Sequence, residues 1–358
     1  ARLLIVLHHL VVDGVSWRVL LPDLAQAWQR VREGQHPELP PVGTSLRRWA
    51  HALHDEANNN TRTTELPYWL GSVDGPDPLL GRRALDPVID VVDTLDYVWA
   101  EVSPEVTEAL LTVLPGVFRS GAGDGLLAGL ALAVATWRRE RGVDESSLLV
   151  RLEGHGREED AAPGADLSRT LGWFTTMYPV RLTIENTNIN EALTAGPAAG
   201  TLIKTIKEQL LTIPDKGIGY GLLRYLNQET APQLAPHPTG QIAFNYLGRF
   251  STTDMPEHLR GLAWTQSPGT ATTVATPDAD MPALSVLDVN ALVTEGRDGA
   301  RLTARFGFPT GILSTQEVQE LADLWCAALE ALAEHVRQPD AGGLTPSDVP
   351  LVSVHQSE

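Results

Sequence analysis

The chain opens on a short apolar run over residues 2 to 7, Arg-Leu-Leu-Ile-Val-Leu, which has the length and branching of a buried strand and stops at His8 and His9. From Ser16 the apolar positions Trp17, Leu20, Leu24, Trp28 and Val31 recur three and four residues apart, predicting a helix that ends near Gly34. Pro22 either kinks that helix or marks its first turn. Residues 35 to 45 are punctuated by Pro and Gly, 46 to 70 return to helical spacing, and 71 to 87 carry Gly71, Gly75, Pro76, Pro78, Gly81 and Pro87 as a loop. A subdomain boundary is expected there, with an N-terminal lobe over 1–87 and a C-terminal lobe over 88–337.

The second lobe reads as mixed α/β. Strands are expected at 88–92 and 94–102, then a helix from Ser103 with Pro104 in its first position, and a helix at 124–141. Strands at 147–152 and 177–184 and a helix at 198–211 follow; strands at 240–247, 284–294 and 300–307 and a helix at 315–337 complete it. Residues 338–358 lose the helical period and gain Pro and Gly, which predicts an extended linker.

Composition narrows the function classes. The 358 residues suffice for two subdomains, since single cores stop growing near ~250–300 residues. A net charge of −18 repels phosphate backbones and anionic membrane surfaces, so neither nucleic acid nor membrane is an expected partner. No run approaches the ~18 apolar residues of a membrane span, and no secretory leader pattern opens the sequence, which makes the cytoplasm the expected location. The single cysteine, Cys326, falls in the apolar helical pattern and reads as a small buried hydrophobe. Gly217 to Gly221 has GxGxG spacing without a preceding strand or a following acidic residue, so it is not a dinucleotide site. His8 and His9 diverge on a strand and no HxxxH or CxxC occurs, so no metal site is expected.

The polar clusters that follow apolar runs carry the chemistry. His8 to Trp17 reads HHLVVDGVSW, Asp124 to Leu127 reads DGLL, and Glu153 to Glu158 reads EGHGRE. Arg169 to Pro179 reads RTLGWFTTMYP, Pro214 to Gly221 reads PDKGIGYG, and Phe244 to Gly248 reads FNYLG. In this order the six segments resemble the epimerization domain of a nonribosomal peptide synthetase, within the condensation-domain superfamily, over nearly the whole chain. Gly129 departs from the DxLLxA pattern, and the family's first motif is absent. By that resemblance roughly the first quarter of such a domain is expected to be missing.

The resemblance implies a two-lobed, chloramphenicol acetyltransferase-like α/β fold with an incomplete N-terminal lobe. It implies epimerization at the Cα of an aminoacyl or peptidyl thioester carried on the phosphopantetheine arm of an upstream peptidyl carrier domain, with no cofactor of the domain's own. Neighbouring synthetase domains, including a downstream condensation domain, are the implied partners. Glu153 would deprotonate Cα, and His9 would protonate the opposite face or stabilise the enolate. A carboxylate with an ordinary pKa of ~4.3 is a weak base for this task, and burial in a cleft would raise it.

The resemblance and the residues themselves together give the remaining expectations. Asn245 and Tyr246 belong to the active site, Tyr246 as core or cleft wall. Trp173 and Phe174 shape the cleft, and Gly14 keeps a Cβ away from the substrate arm or makes a plain turn. His8 is structural, because neighbours on a strand face opposite ways. Asp13 is a structural ion-pair partner, with Arg181 as its expected mate and Arg169 as the alternative. His155 is expected to support Glu153. Two rival readings remain: a condensation domain forming a peptide bond, for which His9 suffices, and a catalytically inactive domain that docks carrier proteins.

Overall fold

The computed structural model describes residues 3–250, 277–296 and 298–349; of residues 250, 295 and 296 it describes the backbone. Six strands form one sheet: β1 (Leu95–Glu101), β2 (Ser147–Gly154), β3 (Thr176–Thr183), β4 (Ile242–Phe250), β5 (Leu287–Gly296) and β6 (Gly299–Pro309), in spatial order β1-β6-β5-β4-β2-β3. The central neighbours β2/β4 and β4/β5 are parallel, and the outer pairs are antiparallel.

The longer helices are α1 (Gly14–Arg32), α2 (Leu46–Ala57), α3 (Leu66–Val73), α4 (Ala122–Glu140), α5 (Pro197–Leu211) and α6 (Thr315–His335). The period-two pattern of the strands sorts the two faces of the sheet. Val150, Leu152, Phe244, Val289 and Phe306 point into one core, which α4, α5 and α6 cover. Helix α4 is buried almost all round, from Gly125 to Arg138, because it lies between the sheet and α5 and α6. At Gly129 a Cβ would come within 2.7 Å of the Leu329 side chain, so the close approach of α4 and α6 explains the departure from the motif. The other face of the sheet carries Arg151, Glu153, Asn245, Asp288, Asn290 and Arg305, none of them fully buried.

Most elements expected after residue 87 lie within three residues of their expected bounds. Two expected strands do not form. Residues 3–7 pair with no strand among the described residues, and Leu3, Leu4 and Val6 are exposed. Residues 88–92 belong to a turn whose one bridge joins Val91 to Pro282. The helical stretch at 46–70 is broken, since α2 ends at Ala57 and α3 begins only at Leu66. Pro22 sits inside α1 without ending it.

Trp69 and Leu80 are core residues of the main cluster, so the main core already includes chain on both sides of residue 71. Trp49, Ala161, Leu167, Phe174 and Ile218 make a second, smaller cluster between α2 and the loops after β2. The tail is not free over its described part. Lys207 of α5, 2% exposed, donates to Asp348 at 2.7 Å, to Thr345 Oγ1 at 2.9 Å and to the Phe118 carbonyl at 3.0 Å, which docks residues 345–348 on the domain.

Candidate active site

Glu153 is the last carboxylate on β2 before the strand ends at Gly154. Because Leu148, Val150 and Leu152 take the core face, Arg151 and Glu153 are forced onto the open one. β4 runs parallel beside it with Leu152 opposite Phe244, which brings Asn245 level with Glu153. The Asn245 amide donates to Glu153 Oε2 at 2.8 Å. Burial pushes the Glu153 carboxyl above its ordinary pKa and nearby Asp288 pushes it further, while Arg151 and His9 pull back. Burial raises Asp288 too, against Arg305, Asn290 and Arg151. The carboxylate is thus moved towards the range of a working base at neutral pH.

The HHLVVDG segment reaches this region through a different local structure from the expected strand exit. His9 begins a single 3-10 turn, His9–Val11, and His8 caps it by accepting from the Leu10 amide at 3.1 Å. Both histidines are exposed, so it is a turn rather than strand alternation that separates them. The His9 ring lies 4.8 Å from that of Trp173, which is itself 46% exposed. Gly14 is the first residue of α1, and a Cβ there would meet nothing within 4 Å.

The expected Asp13–Arg181 pair is not present. Arg181 reaches instead to the carbonyls of Ser72 and Pro76 and to Ser147, tying β3 to the loop after α3. Arg169 pairs with Asp23 of α1 at 2.7 Å. Asp13 pairs with Arg157, at 3.1 Å, and caps α1 by accepting from the Ser16 amide at 2.7 Å. Its second oxygen accepts from the Phe174 amide at 3.2 Å. Burial works against the ionised form, but the Ser16 bonds, Arg157 and the Phe174 amide together hold the Asp13 carboxyl below its ordinary value.

Arg157 is in the EGHGRE loop, and the loop has to reverse for it to reach inward. Gly156 adopts φ +66°, and a Cβ there would stand 1.7 Å from the Phe174 carbonyl oxygen, so only glycine fits. The Arg157 guanidinium lies 4.0 Å over the Phe174 ring and donates to the carbonyls of Leu167 and Thr170. Phe174 is therefore buried beneath the ion pair and packs with Trp49, while Trp173 is the exposed one of the two. His155 points outward, 3.3 Å from Glu158, which also takes the Lys216 ammonium at 2.9 Å; its ring nitrogen accepts from the Arg157 amide rather than supporting Glu153. Tyr246 lies on the opposite side of β4 from Asn245 and packs against the main core.

The site thus contains Glu153 and Asn245 in contact and His9 in electrostatic reach, on an open polar sheet face. Arg151, Asp288 and Asn290 belong to its surroundings. Their signal in the sequence is a set of polar residues at alternate positions of otherwise apolar strands, LLVRLEG and LDVNALV. Among the described residues no group of three or more His, Cys, Asp or Glu is placed to hold a metal ion, and no single helix is long and apolar enough to cross a membrane.

A mixed α/β domain with a histidine turn beside an open sheet face defines the class, and the comparisons agree. The Condensation domain model matches residues 1–349, and the chain belongs to that family. It is 32% identical to Gramicidin S synthase 1 of Brevibacillus brevis, over 97% of this chain and 30% of that one. It is 34% identical to Chondramide synthase cmdD of Chondromyces crocatus, over all of this chain and 8% of that protein. The chain therefore spans a small part of these curated relatives. Among solved structures, the epimerization domain from the third module of tyrocidine synthetase B superposes with a TM-score of 0.76 at 30% identity, covering 92% of this chain and 68% of that one. The first condensation domain of the CDA synthetase shares the fold, with a TM-score of 0.55 at 19% identity over 94% of this chain and 63% of that one.

Proposed function

We propose that this domain is an isomerase that inverts the Cα of an aminoacyl or peptidyl thioester presented on the phosphopantetheine arm of an upstream carrier domain. The observation that carries the reading is the Glu153–Asn245 contact on the polar face, because peptide-bond formation has no use for a half-buried, raised carboxylate at that point. The likeness to the tyrocidine synthetase epimerization domain supports it.

The thioester already acidifies the Cα–H bond, so the chain has to supply a base and an acid on opposite faces of Cα. Glu153 takes the Cα proton, and the electron pair moves onto the thioester oxygen as an enolate. His9 delivers a proton to the opposite face of Cα, which reforms the carbonyl and leaves the inverted centre. Asn245 holds Glu153 by its amide and keeps the carboxylate oriented. In the reverse direction the roles exchange. The two epimeric thioesters differ little in free energy, so the domain yields a mixture, and selection of the D form falls to a downstream condensation domain.

The test is to load a carrier domain with an L-aminoacyl or L-peptidyl pantetheine arm, add the chain, and resolve the products by chirality. D product supports isomerization. Dipeptide formed with an added acceptor would assign a condensation activity instead, and neither product would leave a carrier-docking domain.

A further inference from the structure

One row of side chains crosses the open face from Glu153 to the far edge of the sheet. Asn245 is in register with Asn290, Asn290 with Arg305, and Arg305 with Trp99 on the edge strand β1. Residues in register on neighbouring strands share a face, so all of them stand on the side of Glu153. The row passes β2, β4, β5, β6 and β1, four strand intervals, or roughly 19 Å at ~4.8 Å each.

The chemistry along the row suits a peptide backbone. Glu153 accepts, the two asparagine amides both donate and accept, and Arg305 donates. Asn290 already turns its amide to Asp288 at 2.8 Å, which leaves its carbonyl oxygen as an acceptor. Among the described residues no hydrogen bond occupies the Arg305 guanidinium, which rests 4.8 Å from the Tyr97 ring. Trp99, 63% exposed, ends the row with a large apolar surface. A single aminoacyl group would use only the Glu153 end. An extended peptide advances ~3.3 Å per residue, so five or six residues match the row.

We propose that this row seats the peptide upstream of the inverted residue, so that the substrate is a peptidyl rather than an aminoacyl thioester, with Arg305 and Asn290 bonding the peptide backbone and Trp99 packing on about the fifth residue. The proposal rests on the isomerase reading above.

The experiment uses pantetheine thioesters of L-alanyl peptides one to six residues long and follows Cα deuterium uptake from D2O. kcat/KM is expected to climb with length and level off near five residues, gaining about tenfold or more, as one or two net hydrogen bonds would give. In Arg305→Ala and Trp99→Ala, checked for unchanged melting, the ratio of hexapeptidyl to aminoacyl kcat/KM should shrink to about twofold, through KM rather than kcat. A wild-type profile flat with length would overturn the proposal while leaving the isomerase reading standing, as would equal loss on short and long substrates in the two variants. No uptake on any of the thioesters would overturn the isomerase reading, and the proposal with it.

Discussion

Asp13 and Arg157, 144 residues apart in sequence, form an ion pair whose side chains are only 5% and 8% exposed. The pair joins the first turn of α1 to the loop that leaves β2, and so fixes the histidine turn relative to Glu153. Removing the carboxylate alone leaves a buried guanidinium uncompensated, which typically costs ~3 to 5 kcal/mol. Asp13→Ala should therefore show most of its effect in stability, read by denaturant unfolding. In a double-mutant cycle Asp13→Ala and Arg157→Ala should couple by about 1 kcal/mol or more, whereas Asp13→Ala and Arg181→Ala should add within ~0.5 kcal/mol. An Asp13→Ala protein with unchanged unfolding but no activity would give Asp13 a catalytic role instead.

Gly156 is the second point on which this arrangement depends. Gly156→Ala sets a Cβ at 1.7 Å from the Phe174 carbonyl in a left-handed conformation, so the loop must move and Arg157 with it. A cost above ~1 kcal/mol is expected, beyond the usual strain of alanine at positive φ. Gly14→Ala, where a Cβ meets open space, should unfold like the wild type. The comparison is read in the same unfolding assay.

The raised Glu153 carboxyl has a stability consequence with a definite sign. A folded-state pKa above the unfolded value means that the folded protein holds the proton more tightly. Stability attributable to the group is then greatest at low pH and is lost as pH rises from ~4.3 through the raised value. Glu153→Gln removes the ionisation and keeps an acceptor for Asn245. Its melting temperature should exceed that of the wild type at pH 7 to 8, with the gap closing below about pH 4. A gap that does not depend on pH would show that Glu153 carries no such penalty.

Asp348 makes the opposite case near the other end of the chain. Burial opposes ionisation of Asp348, but the Lys207 ammonium and the Thr345 groups bring its carboxyl down to about 2. The stability from this depressed carboxylate is present above its unfolded pKa of ~3.9 and is lost as pH falls towards 2. Lys207→Met should loosen residues 345–348, seen as faster amide exchange or proteolysis there, and should reduce stability at pH 7. Unchanged protection of that segment would contradict the docking.

The parts of the fold legible in the sequence are those governed by a single period. β2, β5 and α6 are readable because their apolar spacing reports burial directly, and the same alternation places Glu153 on the open face. Partnership between distant groups is not readable in this way. Arg181 sits on a strand and has the look of a mate for Asp13, while Arg157 sits in a loop whose direction is set by the positive φ of Gly156, which no periodicity reports. Residues 3–7 have strand composition, yet strand formation requires a neighbour to accept the ladder, and composition does not supply one. The placement of Asp288, Asn290 and Arg305 on the face of Glu153 emerges only from register, because each is an ordinary polar residue until its strand is placed in the sheet with β4.

The central claim is that Glu153 is the base at Cα. The direct measurement is uptake of deuterium from D2O at the Cα of an L-peptidyl pantetheine thioester, by the wild-type chain and by Glu153→Gln, with the chirality of the product resolved. Uptake and D product are expected with the wild type, and a rate at least ~10²-fold lower with the amide, as for loss of a positioned acid–base group. Uptake by Glu153→Gln at the wild-type rate would contradict it.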